Sequence, residues 1–156
     1  MAAIADAPVS TTTIRLAESE DLSAILRLGE QFRAASPYRD VLVQNDDHAQ
    51  IILRKLIRGE GGAMWVADRA GEVVGMIGMI LFPHYFSGEL MASELLFYVD
   101  PMSRGMGLKL LRAAEAWAVA CGARSISMIA PTEDIGRIYA RFHYQPSERA
   151  YVKRLA

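Results

Sequence analysis

The sequence predicts an α/β (α+β) domain with a mixed, mostly antiparallel central sheet of six to seven strands, flanked by about four helices. Three observations predict this class. Short runs rich in β-branched residues recur along the chain, among them residues 11–17, 63–68 and 72–82. Between the first two runs, apolar residues recur at helical spacing. Later, an apolar run ended by Pro101 leads through a glycine turn into a long alanine-rich helical segment, which is the order of a parallel crossover.

The first part of the chain is expected to give one strand and two helices. Residues 1–10 are small and mixed, so we expect a loose N-terminus, followed by a single domain over residues 11–156. Residues 11–17 form the first strand, because β-branched and polar residues alternate there. Ser19 followed by two acids is a helix start. A second helix is expected over residues 46–58, where charged residues lie opposite an apolar face.

The second part of the chain is expected to complete the sheet. The strands on either side of Gly71 would pair as an antiparallel hairpin, and the apolar run before Pro101 would be the fourth strand. Residues 125–130 form a strand parallel to the fourth, and Thr132 caps the helix that follows. Residues 144–155 would supply the last strand or two. Ligands bind at the carboxyl ends of parallel strands, so the turn after Pro101 is the expected site.

Composition and charge are those of an ordinary globular protein. Apolar residues make up 52% and charged residues 22%, with a net charge of −1, so nothing favours nucleic acid or an anionic membrane as a partner. The single cysteine excludes an internal disulfide and fits a reducing compartment. No apolar run reaches about 18 residues and no signal peptide is recognised, so we expect a cytoplasmic protein. Three scattered histidines and one cysteine lack zinc spacing, so no metal is expected.

The stretch from Glu94 to Gly122 carries the strongest functional signal. A strand that feeds a glycine turn and then a helix aims free backbone N–H groups and the positive end of the helix dipole at one point, which suits a phosphate. The alternative is structural, because a tight turn needs glycine for conformational reasons alone. Two familiar phosphate loops are excluded: there is no GxxxxGKS/T, and position 110, where a third glycine of GxGxxG would stand, is Leu.

Two segments resemble motifs of the GNAT superfamily of N-acetyltransferases. Residues 103–108, Ser-Arg-Gly-Met-Gly-Leu, are similar to its acetyl-CoA-binding motif, and residues 138–144, Ile-Tyr-Ala-Arg-Phe-His-Tyr, to its tyrosine-bearing helix. The resemblance extends over about residues 12–155. It implies that turn amides hold the pyrophosphate of acetyl-CoA and that the preceding strand pairs with the pantetheine arm. It also implies that the helical pair after the first strand forms the acceptor-binding wall.

The resemblance assigns ten residues to acetyl-CoA. They are Phe97, Tyr98, Val99, Arg104, Gly105, Met106, Gly107, Leu108, Lys109 and Thr132. Three positions depart from the family pattern: Lys109 replaces a small residue, Thr132 a frequent Asn, and His143 a Gly. Lys109 either keeps the helix away from the cofactor or reaches a phosphate with its ammonium group, and the two outcomes have opposite effects on affinity.

Acetyl transfer to an amine calls for a base, because an alkyl ammonium with a pKa near ~10.4 must lose a proton. Glu94 matches the position of a frequent glutamate of the family and is the first candidate for this base, with Glu89 the second. The alternative for Glu94 is a charged residue at a strand edge that faces water. Tyr139 matches the tyrosine that protonates the leaving thiolate. It would also pack its ring on the sheet, and the two roles are compatible.

The resemblance implies an enzyme that transfers the acetyl group of acetyl-CoA to a primary amine by direct attack in a ternary complex. The loop residues His84, Tyr85 and Phe86 are candidates for the acceptor pocket. The acceptor is a small-molecule or peptide amine, and the family often forms homodimers. One alternative is a non-catalytic acyl-CoA-binding or sensor module on the same fold, favoured if Glu94 points into solvent and no acceptor pocket opens. The other is a helix-to-helix interaction protein with an unrelated glycine turn, which would not bind coenzyme A.

Overall fold

Five strands form one sheet in the part of the chain that the computed structural model describes, residues 11–155. In chain order they are β1 (Thr12–Leu16), β2 (Gly62–Arg69), β3 (Glu72–Pro83), β4 (Leu90–Val99) and β5 (Ser125–Ser127). They keep this order across the sheet. The pairs from β1 to β4 are antiparallel and β5 is parallel to β4, which confirms the predicted mixed, mostly antiparallel sheet. The predicted loose N-terminus, residues 1–10, lies outside the described residues.

Helices cover both faces of the sheet. They are α1 (Leu22–Ala35), α2 (Asp46–Ile57), α3 (Met106–Ala120) and α4 (Glu133–Arg141). Successive side chains of a strand point to opposite faces, so Met64 and Val66 pack with α1 and α2, whereas Trp65 and Ala67 pack with α3. The four helices confirm the predicted number. Within residues 11–155, no helix combines the length and the apolar character needed to cross a membrane.

Side-chain caps start two of these helices. Asn45 accepts the N–H of His48 at 3.0 Å at the start of α2, and Thr132 accepts the N–H of Ile135 at 3.3 Å at the start of α4. Acidic residues occupy the first turn of both helices, where the helix dipole stabilises them. α3 has neither a side-chain cap nor an acid in its first turn. Its start therefore differs from those of α2 and α4.

The prediction of a last strand or two over residues 144–155 is wrong, and the sheet has five strands rather than six to seven. Residues 145–155 are exposed throughout, so the segment has no buried face on which a strand could pack. β5 ends at Ser127 instead of 130 and offers an edge of only three residues. Side chains hold the segment instead. The Tyr144 hydroxyl donates to Glu115 at 2.9 Å, and Arg154 donates to the carbonyl of Val41 at 3.4 Å.

Candidate active site

β4 has hydrogen-bonded neighbours on both sides in its first part only. Residues 91–93 pair with β5, while pairing with β3 runs along the whole strand. The register with β3 shifts once, between Glu94 and Leu96, which leaves Leu95 as an extra residue on β4. A bulge of this kind bends a strand and increases its twist. Pairing with β5 ends at residue 93, so the second part of β4 has an edge that β5 leaves unpaired.

The turn after β4 is held firmly on the sheet. The Asp100 N–H donates to the carbonyl of Val74 at 2.8 Å, and the Asp100 carboxylate accepts the N–H of Met102 at 2.8 Å. The Ser103 side chain is buried, and its hydroxyl oxygen accepts from the Arg69 guanidinium at 3.2 Å. These contacts fix the direction in which the chain enters α3.

α3 begins without a side-chain cap. Its N-cap residue is Gly105, whose φ of 90° lies in the left-handed region that favours glycine. The N–H groups of a first helical turn have no partner inside the helix, and they lie at the positive end of its dipole. The start of α3 therefore offers hydrogen-bond donors and a positive potential, which is the chemistry that a pyrophosphate requires.

Gly107 lies in the first turn of α3, above β4. A Cβ built on it would meet the ring of Phe97 at 3.6 Å and the side chain of Val99 at 3.8 Å, which are ordinary van der Waals distances. The packing therefore accommodates an alanine here, and helix propensity favours one by about 1 kcal/mol. The fold thus does not require glycine at this position. Close approach of a ligand to the backbone would require it.

The other residues predicted to hold the cofactor divide between the α3 start and α4. Arg104 and Lys109, two cationic residues beside and within the first turns of α3, are exposed. Met106 packs against the core, and Leu108 is 39% exposed. Thr132 differs from the residues at the α3 start, because its hydroxyl oxygen caps α4.

The predicted pantetheine strand exposes its two faces to different helices. Phe97 and Val99 pack on the α3 side of the sheet. Tyr98 points to the other side, where its ring meets that of Phe32 edge-on at a centroid separation of 6.3 Å. Side chains on both faces are thus taken up by packing, and the edge of the strand is the part left for backbone hydrogen bonds to a ligand.

Glu94 and Tyr139 are brought together on the α3 side of the sheet. Their exposed fractions are 8% and 7%. Burial raises the pKa of Glu94 to about 7, against the opposing effect of a backbone hydrogen bond from Ile129. Burial, and then the charge of Glu94, raise the pKa of the Tyr139 phenol above its ordinary value. A carboxyl group that titrates near neutrality beside a phenol that stays protonated can serve as a base and an acid.

The Glu94 carboxylate reaches the chain that follows β5. Its Oε2 accepts the backbone N–H of Ile129, just beyond β5, at 3.0 Å. Glu94 is therefore buried and hydrogen-bonded, which differs from the water-facing alternative. Glu89, the second candidate base, is exposed and lies five residues back along the chain, about 17 Å away for an extended strand.

The predicted acceptor residues His84, Tyr85 and Phe86 form an aromatic cluster, in which His84 is half-buried and the other two are exposed. Ring centroids of His84 and Tyr85 lie 4.7 Å apart, and those of Tyr85 and Phe86 lie 4.2 Å apart. The exposed fractions of Tyr85 and Phe86 are 78% and 82%. The loop lies at the start of β4, about 30 Å along the strand from the turn that begins α3. None of the three residues lines the cavity between α1 and α2.

A cavity of about 350 Å³ opens on the opposite face of the sheet, between α1, α2 and the strands. Residues of α1 and α2 form its walls, and Met76 of β3 and Leu96 of β4 also line it. It coincides with the helical pair that the resemblance implies for the acceptor, but its residues were not predicted individually. Gly29, in the middle of α1, was the one available signal, because a helix interior favours alanine over glycine.

A model of the acetyltransferase (GNAT) family matches residues 26–147, well over half of the chain. The chain belongs to the GNAT family. A search of curated proteins finds no match. Among residues 11–155 of this GNAT protein, no group of three or more His, Cys, Asp or Glu side chains is arranged to hold a metal ion.

Solved structures share the fold at low sequence identity. A transcriptional regulator from Bacillus halodurans C-125 superposes with a TM-score of 0.75 at 18% identity, covering 93% of this chain and 100% of the regulator. A predicted acetyltransferase from Clostridium acetobutylicum, solved with acetyl-CoA, gives 0.74 at 14% identity, covering 92% and 96%. An aminoglycoside acetyltransferase from an uncultured soil metagenomic sample, in complex with sisomicin, gives 0.65 at 21% identity, covering 93% and 95%. At these identities the likeness establishes the fold.

Proposed function

We propose that this GNAT protein transfers the acetyl group of acetyl-CoA to a primary amine by direct attack in a ternary complex. The observation that carries the proposal is the second part of β4, whose open edge leads straight to the uncapped start of α3. A pantetheine arm carries amide groups that can pair with such an edge, and a pyrophosphate fits such a helix start. The Clostridium acetobutylicum protein of the same fold was solved with acetyl-CoA.

The cofactor residues have separate tasks in this proposal. The backbone of Phe97, Tyr98 and Val99 binds the pantetheine arm and orients the thioester. The N–H groups of Gly105, Gly107 and Leu108 bind the pyrophosphate, and the absence of a side chain on Gly107 lets it come close. The exposed Arg104 adds positive charge at the mouth.

The chemical step uses Glu94 and Tyr139. The amine nitrogen forms a bond to the acetyl carbon while the carbon–sulfur bond breaks. Glu94 takes the amine proton directly or through one water, and a pKa of about 7 places it close to the optimum for a base at neutral pH. Tyr139, which stays protonated, donates a proton to the departing thiolate.

A covalent intermediate on the enzyme has no support in the geometry. Cys121 is the C-cap of α3. The length of that helix places it about 22 Å from the anion site. Direct transfer from cofactor to amine is therefore the simpler route.

Two observations weigh against the non-catalytic alternative. It would be favoured by a solvent-facing Glu94 and by the lack of an acceptor pocket, whereas Glu94 is buried and a cavity of about 350 Å³ opens beside β4. The helix-to-helix interaction protein is opposed by the family to which the chain belongs. We keep the sequence-based predictions of a cytoplasmic location and of a homodimer. Size-exclusion chromatography with light scattering would test the homodimer.

Calorimetric titration with acetyl-CoA tests the cofactor site. The wild-type protein should bind with one site per chain, and Gly107→Asp should abolish binding, because a carboxylate in the first turn of α3 stabilises the helix but repels a pyrophosphate. Val119→Asp, at the far end of the same helix on a side chain 76% exposed, adds the same charge and should leave affinity unchanged. No binding by the wild-type protein, or equal binding by Gly107→Asp, would overturn the proposal.

A further inference from the structure

The cavity between α1 and α2 is a feature of the described chain that the proposed chemistry does not yet use. Ile25, Phe32, Ile52 and other apolar residues line it. Its lining includes Leu96, two residues from Glu94 and next to the bulge at Leu95. The cavity adjoins β4 on the face opposite Glu94, so an amine bound there would reach the proposed reacting centre past the edge of β4 that β5 leaves unpaired. A volume of about 350 Å³ equals that of roughly a dozen liquid water molecules, enough for a ring-bearing amine.

The charges around the cavity disfavour a polycation. Among its lining residues, all within 11–155, there is no carboxylate, and Arg33 is the charged one. Two acids nearby already accept hydrogen bonds: Glu30 from Arg33 at 2.8 Å, and Asp46 from Gln44. An ammonium group placed deep in the cavity would lose water without gaining a counter-charge, which is costly. A second and third ammonium on the same ligand would multiply that cost.

Gly29 leaves space in this cavity that a larger residue would occupy, although glycine lowers the stability of the helix. It stands inside α1, where glycine is about 1 kcal/mol less favourable than alanine. A Cβ built on it would meet no atom within 4 Å, apart from its chain neighbours and the helix's own backbone, so packing does not require glycine. Its Cα faces the cavity that it lines. The open space above it is therefore available to a bound molecule.

We propose that this cavity binds the body of the acceptor, and that the acceptor is a primary monoamine with an aromatic or branched aliphatic body, of the phenethylamine kind. The inference rests on the proposed function and names its substrate class. Phe32 and Tyr38 in the lining suit an aromatic ring. The apolar walls also lower the pKa of the bound amine, because desolvation penalises the ammonium form. Less of the deprotonation then falls to Glu94.

This class differs from that of a relative of the same fold. The metagenomic acetyltransferase is an aminoglycoside enzyme solved with sisomicin, and an aminoglycoside carries several amines. The lining described here offers no acid to receive them. The fold is thus shared, while the acceptor differs in charge.

The experiment compares three amines as acceptors by the release of free thiol from acetyl-CoA: phenethylamine, spermidine and kanamycin. We expect kcat/KM for phenethylamine to exceed the other two at least tenfold. Gly29→Phe, which fills the cavity, should raise KM for phenethylamine at least tenfold with acetyl-CoA affinity unchanged. Ile51→Phe, at an exposed position of α2 outside the lining, is the matched control and should remain close to wild type.

A second pair tests the charge argument. Val43 lines the cavity and is 75% exposed, whereas Val119 on α3 is 76% exposed and does not line it. Val43→Glu should shift preference at least threefold toward spermidine, and Val119→Glu should not. Ile52→Ala should weaken phenethylamine binding, whereas Ile51→Ala, on the same helix but outside the lining, should not.

Direct titration of phenethylamine, without acetyl-CoA, separates this inference from the proposed function. Binding that Gly29→Phe removes supports the inference even if no acetyl transfer follows. Acetyl-CoA turnover with spermidine or kanamycin preferred would overturn the inference while the proposed function stands. A second outcome would also overturn it. If Gly29→Phe changed the preference for hexanoyl-CoA over acetyl-CoA relative to wild type and left KM for the amine unchanged, the cavity would hold the acyl chain.

Discussion

The two parts of β4 differ in how their backbone is used. Residues 91–93 are paired on both sides, with β3 and with β5, and belong to the interior of the sheet. From Glu94 to Val99 the strand keeps β3 but loses β5. A free strand edge normally invites pairing with another chain. Here it ends at the uncapped start of α3, so the first part of the strand belongs to the sheet and the second leaves backbone groups for the ligand that we propose.

Replacing Glu94 should have the largest effect on catalysis. Glu94→Gln is expected to lower kcat about 100-fold, because general base catalysis typically contributes a factor of that order or more. In the wild-type protein, kcat/KM should rise with pH through about 7 as the Glu94 carboxyl loses its proton. The variant should lose this step. A pH profile that keeps the step in Glu94→Gln would remove Glu94 from the reaction.

The same substitution should also change stability. The pKa of Glu94 is raised from 4.5 to about 7 by folding, so its stabilising contribution is present below pH 4.5 and is lost as the pH rises through about 7. The loss is on the order of 3 kcal/mol. Urea unfolding should therefore find Glu94→Gln more stable than wild type at pH 8. A wild-type stability that stays flat from pH 5 to 8 would contradict the raised pKa.

Replacing Tyr139 should have a smaller effect, because a thiolate of ordinary pKa ~8.5 leaves without much help. Tyr139→Phe is expected to lower kcat about tenfold and to leave the Kd for acetyl-CoA unchanged. Tyr144→Phe is the control. Its hydroxyl donates to Glu115, and its ring lies 5.4 Å from that of Tyr139. The control should cost about 1 kcal/mol of stability and little turnover. Equal losses of kcat and affinity in Tyr139→Phe would refute the role of proton donor.

Substitutions at the two glycines of the α3 start should separate effects on stability from effects on acetyl-CoA binding. Gly105→Ala places a side chain at a φ of 90°, which costs about 1 kcal/mol or more. Gly107→Ala meets only ordinary contacts, so it should raise stability by up to about 1 kcal/mol while weakening acetyl-CoA binding several-fold. Thermal unfolding and calorimetry on both variants measure the two effects. A Gly107→Ala protein that binds acetyl-CoA like wild type would place the pyrophosphate elsewhere.

Lys109 should have the smallest effect. If its ammonium contacts a phosphate, Lys109→Ala should weaken acetyl-CoA binding about threefold at low salt and less at high salt, because salt screens an exposed charge. Calorimetry at two salt concentrations decides this. Tighter binding in the variant would show that the lysine hinders the cofactor, and unchanged binding would remove Lys109 from the site.

Most of the fold could be predicted because its signals are local. The periodicity of apolar residues located β1 to β4 and the four helices, and Thr132 was correctly expected to cap α4. The predicted strand over 144–155 failed because a strand depends on a partner edge, and β5 supplies only three residues. Whether Tyr151 and Val152 are covered by a neighbour is decided by tertiary contacts that their own β-propensity does not reveal.

The site was less predictable than the fold. The turn after β4 has a local motif, but the cavity joins side chains from α1, α2, β3 and β4 and has no such signature. The bulge at Leu95 was also hidden. Residues 95–99 are a continuous apolar run. Because apolar and polar residues do not alternate there, the sequence does not indicate which residues face which side of the sheet, and a shift of register leaves no trace in it. That shift determines that Glu94 shares a face with Tyr139 rather than with the cavity.

The hydrogen bond between Glu94 and Ile129 restricts how the carboxyl group can turn. With Oε2 accepting the Ile129 N–H, Oε1 is the oxygen that would take a proton from an amine or a bridging water in the proposed reaction. The direction from which an acceptor must approach Glu94 is thereby set by a backbone amide beyond β5.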